Sequence, residues 1–289
     1  MTCDMLPSAS RRSPTTPPWD RSPGTVFVVL PAYNEEENLG SLLRRIDETL
    51  GSAGIGYEVI VVDDGSADRT GEIAGEYARY MPVTYSRHQV NQGLGATIRD
   101  GLAIAAQRAG ERDIVVAMDA DNSHNPGLIP RMARLILEGN DVVIASRYQP
   151  GAYIRGVPFH RQLLSLGARA LFQVTFPVKG VRDYTCGYRA YRSELLRDAF
   201  ARFGTQFVSQ AGFQCMVDIL LKLRSMDAIC CEVPLILRYD LKGGVSKMKV
   251  MKTVFATLRL LVTRRFSRDW CRPAAASAQR PEAPLGKAA

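Results

Sequence analysis

The chain has 289 residues, 46% of them hydrophobic and 23% charged, a balance that excludes a wholly disordered, collagen-like or multi-span membrane protein. No run approaches about 18 uninterrupted apolar residues, so a spanning helix is not expected. The net charge of +8 is concentrated: nine basic residues fall between Arg238 and Arg268, opposed only by Asp240. Such a field points to an anionic partner (a membrane surface, a phosphate group or nucleic acid) or else to a solvated helix face.

Six cysteines (Cys3, Cys186, Cys215, Cys230, Cys231, Cys271) show no repeated C-x-x-C spacing. The start of the chain lacks an apolar signal core, so a reduced, cytoplasmic setting is expected. Residues 1–24 hold five prolines and four serines and read as a disordered leader. The structured body is expected over 25–268, and the Ala/Pro-rich stretch 269–289 as a fraying tail.

Within that body the first strand is TVFVVLPAY. Asn34 is expected to cap the helix through EENLGSLLRRIDETL, with Glu37 in capping-box position and Leu39, Leu42, Leu43 and Ile46 on one face. YEVIVVDD is the second strand and RTGEIAGEYARY, after Asp68, the second helix. A weaker strand, VTYSR, leads through a glycine loop to the helix RDGLAIAAQRA. DIVVAMDAD forms the fourth strand and PGLIPRMARLILEG its helix, between Pro126 and Gly139. DVVIASRY is the fifth. The stretch 158–178, interrupted by Arg161 and Arg169, and the stretch 251–268 predict amphipathic helices that lie on a membrane surface, or that pack on the body or on a second subunit. FVSQAGFQCMVDILLKL predicts a further helix with Phe213, Met216, Leu220 and Leu223 buried.

Strands apolar on both faces and joined by helices predict an α/β fold with a Rossmann-like, mostly parallel central sheet covered on both sides. Ligands of such sheets gather beyond the carboxyl ends of the strands. Those ends carry Asn34–Glu35, Asp63–Asp64, Asp119–Asp121 and Arg147. In extended backbone, residues two apart point to one side, so Asp119 and Asp121 are expected to share a site. Two adjacent carboxylates call for a compensating cation, and a hard divalent ion with phosphate oxygens, Mg²⁺ or Mn²⁺, meets that need.

The blocks PAYNEEENL, VVDDGSADRT, NQGLGATIRDGL, MDADNSHNP and SRY resemble, in order, those of family-2 glycosyltransferases with the GT-A fold. DYTCGYRAY and GGVSK narrow the resemblance to polyprenyl-phosphate sugar transferases of the dolichol-phosphate mannose synthase type, over residues 26–250. The resemblance implies that Pro31, Tyr33, Glu35, Asp63 and the Gly93 loop hold the nucleotide sugar, that Asp121 meets the metal, and that Asp119 contacts sugar or diphosphate and shares the metal. Ser123 stands where the family often has Gln, which makes it a short neutral ligand, and His124 beside it is expected to be structural. Arg147, Arg189, Ser246 and Lys247 fall on the acceptor side, and Leu241 where related enzymes often have arginine.

A polyprenyl phosphate is already an oxyanion and needs no general base, whereas an alcohol acceptor does. Many alcohol-directed relatives carry a Glu-Asp pair near 214–218, and this chain has only Asp218 there. The implied reaction is metal-dependent, inverting transfer of a hexose, mannose from GDP-mannose first, to a polyprenyl or dolichyl phosphate, by an enzyme held peripherally on the cytoplasmic face of a membrane. The alternative is another nucleotide sugar, such as UDP-glucose, or a hydroxyl acceptor. Nucleic acid is not an expected partner, since the basic tract has too few interleaved aromatics.

Overall fold

The computed structural model describes residues 24–156, 159–238, 259–260 and 263–264. The expected leader, the tail, Leu241, Ser246, Lys247 and all but four residues of the stretch 251–268 lie outside the described residues.

The apolar runs become strands where they were expected: β1 (Val26–Ala32), β2 (Tyr57–Asp63), β3 (Val83–Arg87), β4 (Ile114–Ala117) and β5 (Val142–Ser146). β4 and β5 are buried throughout, and β1 almost so, as strands covered on both faces must be. Between them run α1 (Leu39–Ser52), α2 (Thr70–Tyr77), α3 (Leu94–Arg108) and α4 (Ile129–Leu137), the last preceded by a 3-10 turn at Pro126–Leu128. α1 buries Leu39, Leu42, Leu43, Ile46 and Leu50, the three-and-four spacing that puts side chains on one helical face.

The second half adds β6 (Tyr153–Arg155), α5 (Phe159–Thr175), β7 (Arg189–Arg192), α6 (Ser193–Phe203), α7 (Cys215–Arg224), β8 (Cys230–Pro234) and β9 (Ile236–Arg238). Seven strands form one sheet in the order β3-β2-β1-β4-β7-β5-β8, and β6 pairs with β9 separately. The sheet is parallel except for β7, which runs against both β4 and β5. Because β7 is reversed, its first residue sits beside the last of β4: Ala117 pairs with Arg189. The segment leading into β7 therefore reaches the same sheet edge as the carboxyl ends of β1, β2, β4 and β5.

Two helix boundaries differ from expectation. α1 begins at Leu39 with Asn38 as its N-cap, and Asn34 is not the cap. Asn34 adopts φ 51°, and its side chain accepts from the Ala67 amide instead, a tertiary contact that outcompetes the local capping box. α3 starts five residues earlier than RDGLAIAAQRA implies, because Gly93 and the turn before it set its first turn. In the last predicted helix, Phe213 is exposed and precedes α7, whereas Cys215–Leu223 are buried all round.

Candidate active site

The loops that follow β1 and β2, where the sequence leads one to expect the nucleotide, interlock. After Pro31 and Ala32 in β1, the half-exposed Tyr33 leads to Asn34, whose amide donates to Ser66 Oγ at 2.9 Å. The Glu35 amide donates to Thr70 Oγ1 at 2.8 Å, and Glu35 Oε2 accepts from the Asn38 side chain. Asp63 is fully buried beneath these loops. Its Oδ1 accepts from the Ser66 amide, and its Oδ2 accepts from the Tyr85 hydroxyl at 2.7 Å with Arg87 at 3.7 Å. Burial and this bond to Asp63 push the Tyr85 phenol up to about 12. Asp63 thus shapes the loop from below.

Gly93 adopts φ 91°, ψ 161° at the start of α3, a conformation that a side chain would strain. Its amide and that of Gln92 donate to the Asp64 carboxylate, both at 2.8 Å.

The paired acids lie just past β4, on a bend rather than in extended backbone, with Asn122 at φ 61°. Met118 and Ala120 are buried while Asp119 and Asp121 are partly open, and the alternation ends there, with Asn122 partly open and Ser123 buried. Asp121 Oδ1 accepts from both the amide and the hydroxyl of Ser123, at 3.1 and 2.5 Å. The Ser123 hydroxyl proton is thereby given to orienting Asp121. His124 Nδ1 accepts from the Asp119 amide at 3.2 Å, which turns Nε2 toward Asp119 Oδ2, 3.9 Å away. Its ring stacks on Tyr188, so His124 props the loop, as expected. The loop is braced from α1 as well, since Arg45 donates to Asn122 Oδ1 at 2.6 Å and to Asn125 Oδ1 at 3.2 Å.

No group of three or more His, Cys, Asp or Glu side chains forms a metal cage among the described residues. Two carboxylates on one loop nevertheless suit Mg²⁺ or Mn²⁺, which complete their shells with water and substrate phosphate oxygens. Asp119 and Asp121 would hold such an ion.

Arg147 follows β5 and binds Asp183 through two parallel bonds, Nε to Oδ2 at 2.8 Å and Nη2 to Oδ1 at 2.7 Å, and also donates to Thr185 Oγ1. Against the cost of burial, Asp183 raises the Arg147 pKa further, and Arg147 in turn depresses the Asp183 carboxyl although burial alone would raise it. Among the described residues Arg147 Nη1 has no hydrogen-bond partner. Asp183, Thr185 and Gly187 belong to the segment entering β7. A Cβ added at Gly187 would stand 3.3 Å from Asp119 Oδ1, so a glycine there lets that segment close on the acid loop. One short stretch of chain thus touches both Asp119 and Arg147.

Two sequence expectations change. Arg189 is fully buried, and its guanidinium donates to three backbone carbonyls, those of Cys186, Met216 and Tyr184, at 2.7–2.8 Å. It anchors the turn before β7 and does not face an acceptor. Asp218, the one candidate base, is also fully buried. Its oxygens accept from Lys222 and Arg264, both at 2.7 Å, and from Ser209. Its charge is committed to the interior.

Four contributors escaped the sequence reading. Asp183 orients Arg147, Arg45 braces the acid loop, His88 faces Asp64, and Arg169 on α5 places its guanidinium 4.7 Å from the centre of the Tyr148 ring. The signal for Arg169 was a cation inside an apolar helix; the others are surface-type residues whose partners are distant in sequence.

Among curated proteins, the chain is 36% identical over 235 residues to the dolichol-phosphate mannosyltransferase of Pyrococcus furiosus, spanning 81% of this chain but 62% of that relative. It is 34% identical to the polyprenol monophosphomannose synthase of Mycolicibacterium smegmatis (77% of this chain, 80% of the relative). It is 31% identical to the undecaprenyl-phosphate mannosyltransferase of Micrococcus luteus (77% and 87%). Among solved structures, glucosyl-3-phosphoglycerate synthase from Mycobacterium tuberculosis, crystallised with phosphoglyceric acid, superposes with TM-score 0.60 at 22% identity (88% of this chain, 86% of that one). Its complex with Mn²⁺, UDP and phosphoglyceric acid gives 0.58, also at 22% identity (92% and 87%). At that identity the likeness establishes the fold. The description Glycosyl transferase family 2 matches residues 27–200, and with these relatives it settles the membership: the chain belongs to glycosyl transferase family 2 and has the GT-A fold.

Proposed function

We propose that this chain transfers mannose from a nucleotide diphosphate sugar, GDP-mannose first, to a polyprenyl phosphate with inversion at the anomeric carbon. The observation that carries the reading is the segment Asp183–Tyr188, which closes Gly187 on Asp119 while Asp183 holds Arg147. An acid loop suited to a leaving diphosphate and a cation suited to an incoming phosphate are thereby set on one edge. The names of three relatives, all polyprenyl-type mannosyltransferases, support the sugar and the acceptor class.

The chemistry follows from charge. An oxygen of the acceptor phosphate attacks the anomeric carbon, the bond from that carbon to the donor's phosphate oxygen breaks, and the nucleoside diphosphate leaves with the electron pair. No proton need be removed, which accords with Asp218 being neutralised in the interior. Arg147, held fully charged by Asp183, offers Nη1 to the acceptor phosphate and lowers the cost of bringing one anion to another. A divalent ion at Asp119 and Asp121, when bound, would neutralise charge on the departing diphosphate.

No helix among the described residues is long and apolar enough to cross a membrane. α5 instead exposes Leu166, Leu171 and, at 85%, Val174, beside Arg169. That face, with the basic stretch 238–268, supports a peripheral approach to the bilayer holding the acceptor; a second subunit is the other occupant it would suit. The deciding assay offers radiolabelled GDP-mannose and UDP-glucose to polyprenyl phosphate and to free polyprenol, with Mg²⁺, Mn²⁺ or chelator. Labelled mannosyl phospholipid that disappears with chelator is expected. Labelling of the free alcohol in preference to the phosphate would overturn the acceptor, and labelling from UDP-glucose alone would overturn the donor.

A further inference from the structure

His88 lies between two carboxylates, and the reading of the site so far gives it no task. It follows β3, is buried, and its backbone amide donates to the Asp63 carbonyl. Its Nδ1 stands 2.7 Å from Asp64 Oδ1, and its Nε2 3.0 Å from Asp100 Oδ2. A carboxylate is an acceptor only, and a neutral imidazole has a single N–H. Both contacts are hydrogen bonds at once only when both ring nitrogens carry protons. The charged groups around the ring fit that state. Asp64 approaches from the end of β2 and Asp100 from α3, with Arg99 beside Asp100 at 2.7 Å. From β3, Arg87 is turned away toward Asp63 and the Ser66 carbonyl. One imidazole ring thus sits between two acids, within hydrogen-bond distance of both.

Asp64 is the link to function. Besides His88, it accepts from the amides of Gln92 and Gly93. Those two amides fix the turn in which Gly93 takes its positive φ and from which α3 departs. The turn is held on its other side by the Gly95 amide, which donates to the Ala211 carbonyl at 2.9 Å. Its place, beside the carboxyl end of β2 and the loops after β1, is where a parallel sheet presents ligands.

We propose that His88 is a positioning residue for donor binding: as a bridge between Asp64 and Asp100 it aims the Asp64 carboxylate at the Gln92 and Gly93 amides and so fixes the turn that receives the nucleotide diphosphate. The proposal rests on the donor-site reading above. Removing the ring takes away the partner that holds Asp64 Oδ1 from the side opposite the two amides, which loosens Asp64 and with it the turn. Donor affinity therefore falls when His88 is replaced, while acceptor affinity stays level.

The test compares wild type with His88→Gln, and with Asp100→Asn as a second variant that keeps the ring, by calorimetric titration of GDP and UDP and by donor and acceptor kinetics. His88→Gln is expected to weaken nucleotide binding and raise the donor KM about tenfold, the worth of one charge-assisted bond, with kcat nearly unchanged. Asp100→Asn, whose amide can still face the ring, should bind more tightly than His88→Gln. Equal nucleotide affinity in wild type and His88→Gln would overturn the inference while leaving the donor site standing. A wild-type chain that binds neither nucleotide would overturn the donor site and this inference together.

Discussion

Arg147 and Arg189 come from neighbouring motifs, and burial separates their roles. Arg189 gives its donors to three carbonyls and serves the turn before β7. Arg147 is gripped along one side by Asp183, through Nε and Nη2. A lysine in its place preserves the charge but cannot reproduce a planar two-bond fork. Arg147→Lys is therefore expected to fold, to bind nucleotide as wild type does, and to raise the acceptor KM about tenfold; unchanged acceptor kinetics would remove Arg147 from the acceptor side. Asp183→Asn removes the buried counter-charge and should cost about 3–5 kcal/mol in chemical denaturation at neutral pH. The pH dependence has a definite sign. Asp183 is depressed in the folded state, so its contribution is present above the unfolded carboxylate pKa and is lost as pH falls through the folded one. The gap between wild type and Asp183→Asn should accordingly narrow in acid.

At the scale of elements, the acid loop depends on α1. Arg45 reaches from that helix to Asn122 and Asn125, and Ser41 Oγ accepts from the Asn122 side chain at 2.9 Å. These contacts hold the left-handed Asn122 directly after Asp121. Arg45→Ala is expected to lower Mn²⁺ affinity about tenfold, in the range found when groups supporting metal ligands are removed, with a loss of only about 1–2 kcal/mol in stability. Titration with Mn²⁺ followed by electron paramagnetic resonance reads the first, and thermal unfolding the second. β1 to β5 were legible in the sequence as β-rich runs, and the acid-bearing edge as the Asp and Arg residues at the ends of β2, β4 and β5. β7 was not, since R-A-Y-R has no apolar run and is a strand only because β4 and β5 flank it. α1 was legible in its face but not in its start, where Asn34 serves a distant amide rather than its own helix. The roles of Arg45, Asp183 and His88 were hidden for the same reason: each acts through a partner 24 to 80 residues away.

For the molecule as a whole, the buried cluster on α7 joins the chain's C-terminal part to the catalytic sheet. Asp218 accepts from Lys222 one turn on and from Arg264, 46 residues away. Burial pushes the Lys222 ammonium down, and Asp218 opposes that shift. Leu260, four residues before Arg264, is buried as well. Ser209 belongs to the cluster, donating to Asp218 and accepting from Arg264 at 2.9 Å. It leads into Ala211, whose carbonyl receives the Gly95 amide at the start of α3. The cluster thus connects the basic C-terminal segment to the turn assigned here to the donor. Arg264→Ala leaves Asp218 with Lys222 as its remaining cation and should cost about 2–3 kcal/mol, as for a hydrogen bond to a charged group. Hydrogen exchange should accelerate over residues 259–264 and at the first turn of α3, while β1 and β4 keep their protection. Faster exchange at 259–264 alone would mean that the cluster anchors the segment without reaching the donor turn. No change at either place would mean that Leu260 and its neighbours hold the segment unaided.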